Sequence, residues 1–312
     1  MDLRQLATLV AIADHGSFSA AARALYTVQS NVSSHIARLE RELGVVLVDR
    51  QRGGLTDEGI VVVDRARRVL HELDDLSADM ASRGSEIRGD ARLGSIGTTA
   101  RWLLPLLLTR LAAAHPHVHV TVHEGNTTNL IPRLVAQHID AAIIHLPVDD
   151  PEITVEPLFA EDLMLLVHAR HPLSALESIS LAELADEPLL LPPAGTALRR
   201  VIDRAAASAG VTLRAKVEID GVRLLGSLAF EGFGAAIVPA TAVPRWLRGD
   251  FARIAVPELP RRVVAWAQRR RPTPGIATRA VHSLIRDVVA VQGAKQPGVH
   301  VGTEAFPLGR TV

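Results

Sequence analysis

Residues 17–40 read SFSAAARALYTVQSNVSSHIARLE and fall into two short helical phrases separated at Tyr26-Thr27. Ser17 is placed to cap the first, whose Ala20, Ala21, Ala22 and Ala24 are small enough to let a second helix approach closely. Thr27 is placed to cap the second, where Val28, Val32, Ile36, Leu39 and Leu43 recur at helical spacing and are expected to face inward. The opposite side carries Ser30, Ser34, Ala37, Arg38 and Arg41, flanked by Gln29, Asn31 and Ser33. A helix-turn-helix over residues 18–37 with a small, polar, donor-rich outer face follows. Such a face suits the major groove, where hydroxyls and amides meet base edges and phosphates. The first turn of a recognition helix makes most base contacts, so Gln29, Ser30, Asn31 and Ser33 are the expected readers, with Arg38 and Arg41 nearer phosphate.

Working outward, Leu3, Leu6, Val10 and Ala13 form an amphipathic stripe that ends at His15-Gly16, which adds a third helix to the head. Downstream, the apolar run 45–48, the turn RQRGG at 50–54 and Leu55-Thr56 predict a two-stranded wing with Arg50 and Arg52 at its tip. The blocks GSFSAAARAL, ARLERELGVVLVDR and LTDEG, in this order and spacing, resemble the N-terminal domain of LysR-type transcriptional regulators over residues 1–59. The resemblance implies a winged DNA-binding domain (1–58) in which Gln29, Ser30, Asn31, Ser33, Ser34, His35, Arg38, Arg50 and Arg52 meet double-stranded operator DNA. Val48 stands where the family commonly has an aromatic residue, and His35 where Arg or Lys is more familiar. Acidic and basic side chains about balance in this head, as they do in the whole chain, whose net charge is zero. Contact with phosphate therefore depends on local placement, and the salt dependence of binding should be shallow.

Residues 56–88 contain no proline, and Val63, Ala66, Leu70, Leu73, Leu76 and Met80 recur in steps of three and four. Thr56 is placed to cap a long helix, and its narrow apolar stripe reads as a seam for a second copy. A linker and dimerisation helix is expected over 59–89, and the resemblance implies homodimers and homotetramers.

From Arg92 the pattern alternates. Strands are expected near 93–96, 118–123, 141–145, 163–167, 189–191, 216–219, 235–238 and 263–267, with helices near 101–114, 129–138, 198–209, 222–230 and 278–291. This predicts a parallel α/β region over 90–291, folded as two lobes joined by two crossings, with a ligand cleft between them. The resemblance extends here and implies an effector-binding domain similar to periplasmic solute-binding proteins. On that basis the candidate effector residues are Thr98, Thr99, Asn126, Thr127, Thr128, His145, Asp220, Val222, Phe233 and Gly234. Thr98 and Thr99 open a helix, where hydroxyls and free backbone donors hold an anion, so a carboxylate is the favoured small-molecule effector.

At 312 residues the chain has room for these domains. It contains no cysteine, which excludes a thiol switch, disulfides and thiolate metal sites. No secretion signal and no apolar run of membrane-spanning length occurs, so a cytoplasmic protein is expected without membrane association. His115, His117, His119 and His123 sit close together, but the alternate residues 118, 120 and 122 are valines that face a core and no carboxylate completes a spacing, so no metal is assigned and no cofactor is expected. Enzyme signatures such as GxSxG, HExxH and the P-loop are missing. The alternative reading, an enzyme or solute-binding protein that uses the head as an interaction module, leaves the first 88 residues without a role. Residues 292–312, with scattered Gly and Pro, read as a poorly ordered tail.

Overall fold

The computed structural model describes all residues except 50–53, 82–85, 303–305 and 307–312. The chain forms two compact units, Met1–Arg83 and Gly84–Val312.

The first unit opens with α1 (Leu3–His15), held by a capping box between Asp2 and Gln5 and stopped by Gly16 in the left-handed region. Helix α2 (Phe18–Ala24) is capped by Ser17, whose hydroxyl accepts from the Ala20 N–H at 3.2 Å. Helix α3 (Gln29–Leu43) differs from expectation at its start. Its N-cap residue is Val28 and no side chain caps it, because the Thr27 hydroxyl accepts from the Asn31 amide at 2.9 Å instead. Only Val32, Ile36 and Leu39 of the expected apolar set are buried, while Val28 is 60 % exposed and Leu43 also reaches the surface. The helix touches its neighbours along its middle, and both ends overhang. In α1 the buried face is Leu6, Leu9 and Ile12 with Gln5 and Thr8, and Leu3 is exposed. The arc is rotated because α1 packs against α2, α3 and the long helix together.

Strands β1 (Val48–Asp49) and β2 (Gly54–Leu55) pair antiparallel as the wing, with Val48 buried in the head core. The wing tip, with Arg50 and Arg52, lies outside the described residues. Helix α4 (Asp57–Ala81) follows, its start capped by the Thr56 hydroxyl, which accepts from the Gly59 N–H at 2.9 Å. Gly59 lies so near the wing that a Cβ there would stand 2.0 Å from the Leu47 carbonyl oxygen. Val63 and Ala66 complete the head core, whereas Ile60, Val61, Val69, Leu76 and Met80 are exposed.

The second unit contains two sheets. The first is built from β3 (Arg88–Ile96), α5 (Gly97–Ala114), β4 (His117–Gly125), α6 (Thr127–Val135), β5 (Ala141–His145) and β6 (Ile153–Glu161). The chain then crosses at Asp162 into the second lobe, made of β7 (Leu163–His168), β8 (Leu189–Leu191), α7 (Ala197–Ser208), β9 (Ala215–Glu218), α8 (Val222–Phe230), β10 (Ala235–Pro239) and β11 (Phe251–Ala255). It returns through residues 256–261 to β12 (Arg262–Arg269), α9 (Ile276–Gln292) and β13 (Val299–His300). Strand orders are β13-β6-β12-β5-β3-β4 and β11-β7-β10-β8-β9. The sheets are mixed. Strands β3, β4 and β5 run parallel, but β12 lies antiparallel to both β5 and β6, and β10 antiparallel to β7. The antiparallel pairs sit where the chain changes lobes, since a strand that returns from the other lobe enters the sheet from the far end.

Each lobe has its own core, with Leu103, Leu107, Ile143, Phe159 and Trp266 in the first and Leu165, Leu189, Ile202 and Ile237 in the second. Apolar burial of this kind contributes about 1.5–3 kcal/mol per large side chain. The segment after α9 departs from the tail expectation. Val299 and His300 pair with Glu161 and Ala160 of β6, and His300 Nε2 lies 2.9 Å from the Asp162 carboxylate. An open sheet edge and a carboxylate at the crossover order a segment that composition alone marks as loose.

Candidate nucleic-acid interface and ligand cleft

In the head, Gln29, Ser30, Asn31, Ser34 and Arg38 are exposed along one side of α3, and Ser33 is half-buried. The side chains of Ser30, Ser34 and Arg38 make no hydrogen bond among the described residues, so their polar groups are free for a partner. Gln29 is steadied by the Ser19 hydroxyl, which donates to its Oε1 at 2.8 Å. His35 departs from this set. The Thr8 hydroxyl donates to the Arg4 carbonyl at 2.6 Å and stands 3.1 Å from His35 Nδ1, which ties the half-buried imidazole toward α1. The i, i+1 step from Ser34 turns it about 100° away from the outer face. Sequence reasoning overlooked Tyr26. It occupies the turn with φ 51° and is 99 % exposed.

In the second unit a cleft of about 450 Å³ opens between the lobes. Four helices begin at it. From the first lobe come α5, with Gly97 and Thr98, and α6, with Asn126 and Thr127; from the second come α7, with Thr196 and Ala197, and α8, with Gly221 and Val222. Each helix start directs backbone N–H groups and partial positive charge toward the space. Asn126 caps α6 and Thr196 caps α7, but no side chain caps α5 or α8.

Of the residues singled out in the sequence, Thr98, Asn126, Thr127, His145, Asp220 and Val222 line this cleft. Thr99 is fully buried behind it, with an Oγ1 that has no partner among the described residues. Thr128 bridges the lobes, its Oγ1 accepting from the Ala197 N–H at 3.2 Å. Phe233 and Gly234 lie elsewhere. Phe233 is 59 % exposed and its carbonyl accepts from Lys216 Nζ at 2.7 Å, while Gly234 backs onto Leu190 and the Pro188 carbonyl. The glycines there serve the turn from α8 into β10, where φ is 80° at Gly232 and 159° at Gly234.

Sequence reading missed the charges of the cleft. Arg262, at the start of β12, is buried and donates from Nε to Glu161 Oε1 at 3.0 Å and from Nη2 to Thr98 Oγ1 at 2.8 Å. Glu161, fully buried, also accepts from the Thr241 backbone N–H at 3.1 Å and hydroxyl at 2.6 Å. This network binds both crossing segments to α5 and to the second lobe. At the mouth, Arg223 of α8 donates to Glu124 at 2.6 Å, and the Asn126 amide donates to Asp220 at 2.8 Å, so two polar links span the lobes. His145 is held by burial, and by the nearby Arg262 and Arg200 guanidinium groups, at a pKa of about 3. It is therefore a neutral ring near pH 7. The sequence could mark these residues only as scattered charges, because Arg262 and Thr98 are 164 positions apart.

Strand β4 is an edge of its sheet, and His117 and His119 are exposed on it. His123 Nδ1 lies 3.1 Å from Arg133 Nη2, and among the described residues no group of three ligands has metal-binding geometry. No helix among them is long and apolar enough to cross a membrane.

Comparison with known proteins adds the following. The model of the bacterial regulatory helix-turn-helix of the lysR family matches residues 3–60, and that of the LysR substrate binding domain matches residues 84–290. The DNA-binding transcriptional dual regulator OxyR of Escherichia coli is 30% identical over 294 residues, which span 93% of this chain and 95% of that protein. A hydrogen peroxide-inducible genes activator of Pectobacterium carotovorum is 29% identical, with 93% of this chain and 96% of the relative covered. Among solved structures, full-length CbnR in complex with its target DNA superposes with a TM-score of 0.70 at 27% identity, covering 92% of this chain and 99% of that one.

Proposed function

The chain belongs to the LysR family of transcriptional regulators, and from that premise we propose that α3 reads operator DNA while a small molecule in the inter-lobe cleft sets how two heads are presented to it. The observation that carries this is the outer side of α3, where the side chains of Ser30, Ser34 and Arg38 have no partner among the described residues and the first turn has no side-chain cap. A helix start in that condition accepts a phosphate, and the neighbouring hydroxyls and amides of Gln29, Asn31 and Ser33 then face base edges. Arg50 and Arg52 are proposed to reach phosphate or minor groove beside it.

Two heads are needed because one balanced head neutralises few phosphates. Val69, Leu73, Leu76 and Met80, which share one side of α4 beyond the head core, are proposed to meet their counterparts in a second copy, in a dimer or a pair of dimers, in the cytoplasm. In the cleft, Thr98, Asn126, Thr127 and His145 are proposed to hold the effector, with a carboxylate at the start of α5. The Pectobacterium relative is named for induction by hydrogen peroxide. This chain has no cysteine to oxidise, so its signal is proposed to be bound rather than to react with a thiol.

Gel-shift titration with the DNA flanking its own gene tests the reading. A specific shift against random competitor supports it, and a protein that prefers no duplex refutes it. Because coupling is reciprocal, operator DNA should change effector affinity by the same factor as effector changes operator affinity.

A further inference from the structure

The first-lobe wall of the cleft has an uneven supply of donors and acceptors. Thr98 Oγ1 accepts from Arg262 at 2.8 Å and Thr127 Oγ1 accepts from the His145 backbone N–H at 3.1 Å, so each hydroxyl keeps its own proton to donate. The start of α5, without a side-chain cap, adds backbone N–H groups to this wall, and the equally uncapped start of α8 faces it from the second lobe. Against these donors stands His145, which is only 3 % exposed. Its Nδ1 lies 3.3 Å from the Leu146 carbonyl oxygen. A carbonyl only accepts, so Nδ1 carries the hydrogen and Nε2 is left with a lone pair. Nε2 makes no hydrogen bond among the described residues, and the residue lines the cleft, to which this nitrogen is open. With burial and two guanidinium groups disfavouring a second proton, the ring remains an acceptor at that nitrogen across the physiological range.

We propose that the ligand of this cleft is a small carboxylate that bears a hydroxyl or amino group next to the acid, with the acid seated at the start of α5 against the Thr98 and Thr127 hydroxyls and the neighbouring donor on His145 Nε2. The proposal rests on the reading of the cleft as the effector site. A plain carboxylate would satisfy the donors and take water from the Nε2 lone pair without replacing its hydrogen bond, whereas a donor-bearing acid satisfies both. The cleft volume of about 450 Å³ suits a compact molecule of this kind. At the mouth, Asp220 already receives the Asn126 amide and offers a further acceptor to an amino group.

Calorimetric titration of the full-length protein with matched acids tests this. The probes are propionate, lactate and alanine, and the larger set phenylacetate, mandelate and phenylglycine. Within a set, a hydroxyl or amino member is expected to bind at least about tenfold more tightly than the plain acid. The hydroxyl and amino arms identify which donor is preferred. In His145→Leu that advantage, read as the ratio of affinities within each set whatever the affinity of the plain acid becomes, should shrink to within about twofold. The wild-type comparison stands even if the variant unfolds. Equal affinity of plain and donor-bearing acids for the wild type overturns the donor requirement alone. If no acid of either set binds at millimolar concentration, the reading of the cleft as a carboxylate site falls with it.

Discussion

Helix α3 in the head and helix α5 in the effector unit both begin without a side-chain cap, at Val28 and Ile96, yet the first faces solvent and the second faces an enclosed cleft. Water satisfies the free N–H groups of α3 while it waits for DNA, so the bare start costs little, and charges that approach it are screened by salt. In the cleft, a poorly matched ligand leaves buried groups unpaired, and the penalty falls on each wrong molecule separately. The same backbone feature therefore supports affinity for a polyanion in one place and discrimination among small acids in the other.

Removing the buried ion pair tests the enclosed side most severely. Arg262→Met leaves Glu161, fully buried, without its cation, and a loss of about 3–5 kcal/mol is expected, read as a lowered midpoint in chemical or thermal unfolding. Adding Glu161→Gln in the same chain should restore part of the loss. If Arg262→Met unfolds at the wild-type midpoint, the network is not what fixes the crossings. On the open side, Ser34→Ala with Arg38→Ala should weaken specific operator binding by about ten- to a hundredfold, from the usual worth of such contacts. The circular dichroism spectrum should stay unchanged, and a footprint retained at wild-type concentration would take this face out of the interface.

A third contrast is set by acid. The folded-state pKa of His145, about 3, lies below its unfolded value near 6.5, so as pH falls below 6.5 the unfolded chain gains a proton that the folded chain refuses. Stability should decline between pH 6.5 and 3 by about 1.4 kcal/mol per unit from this group. The lowered pKa of His123 and His282, each chiefly from burial, acts in the same direction. Urea unfolding at pH 7 and 5 checks it, with a shallower decline expected for His145→Leu. The smallest effect belongs to the mouth of the cleft. Glu124 and Arg223 are both near half exposure, so Glu124→Gln should change stability by less than about 1 kcal/mol in the same assay.

Much of the head was legible because its signals are local. Ser17 caps three residues away, Gly16 stops a helix, and Val32, Ile36 and Leu39 repeat on one side. The departures have tertiary causes. Val28 and Leu43 continue a pattern past the point where any neighbour covers it, and His35 is drawn inward by Thr8, a residue 27 positions away. In the effector unit the alternation of strands and helices was legible, and with it the helix start at Thr98 and Thr99. Strands β6, β11 and β13 were not, since each is defined by its partner: β13 is two residues long and exists because β6 offers it an edge. Arg262 and Glu161 carry no motif, and only the folding of the crossings brings them to Thr98.

The bare hydrogen of Gly59 against the Leu47 carbonyl leaves no room for play between the wing and the first turn of α4. A shaft seated that tightly in its socket transmits torque. Rotation applied along α4 would arrive at β1 and β2 as a movement of the whole head rather than be lost as slack at the joint, and so would alter the angle at which the wing meets a groove.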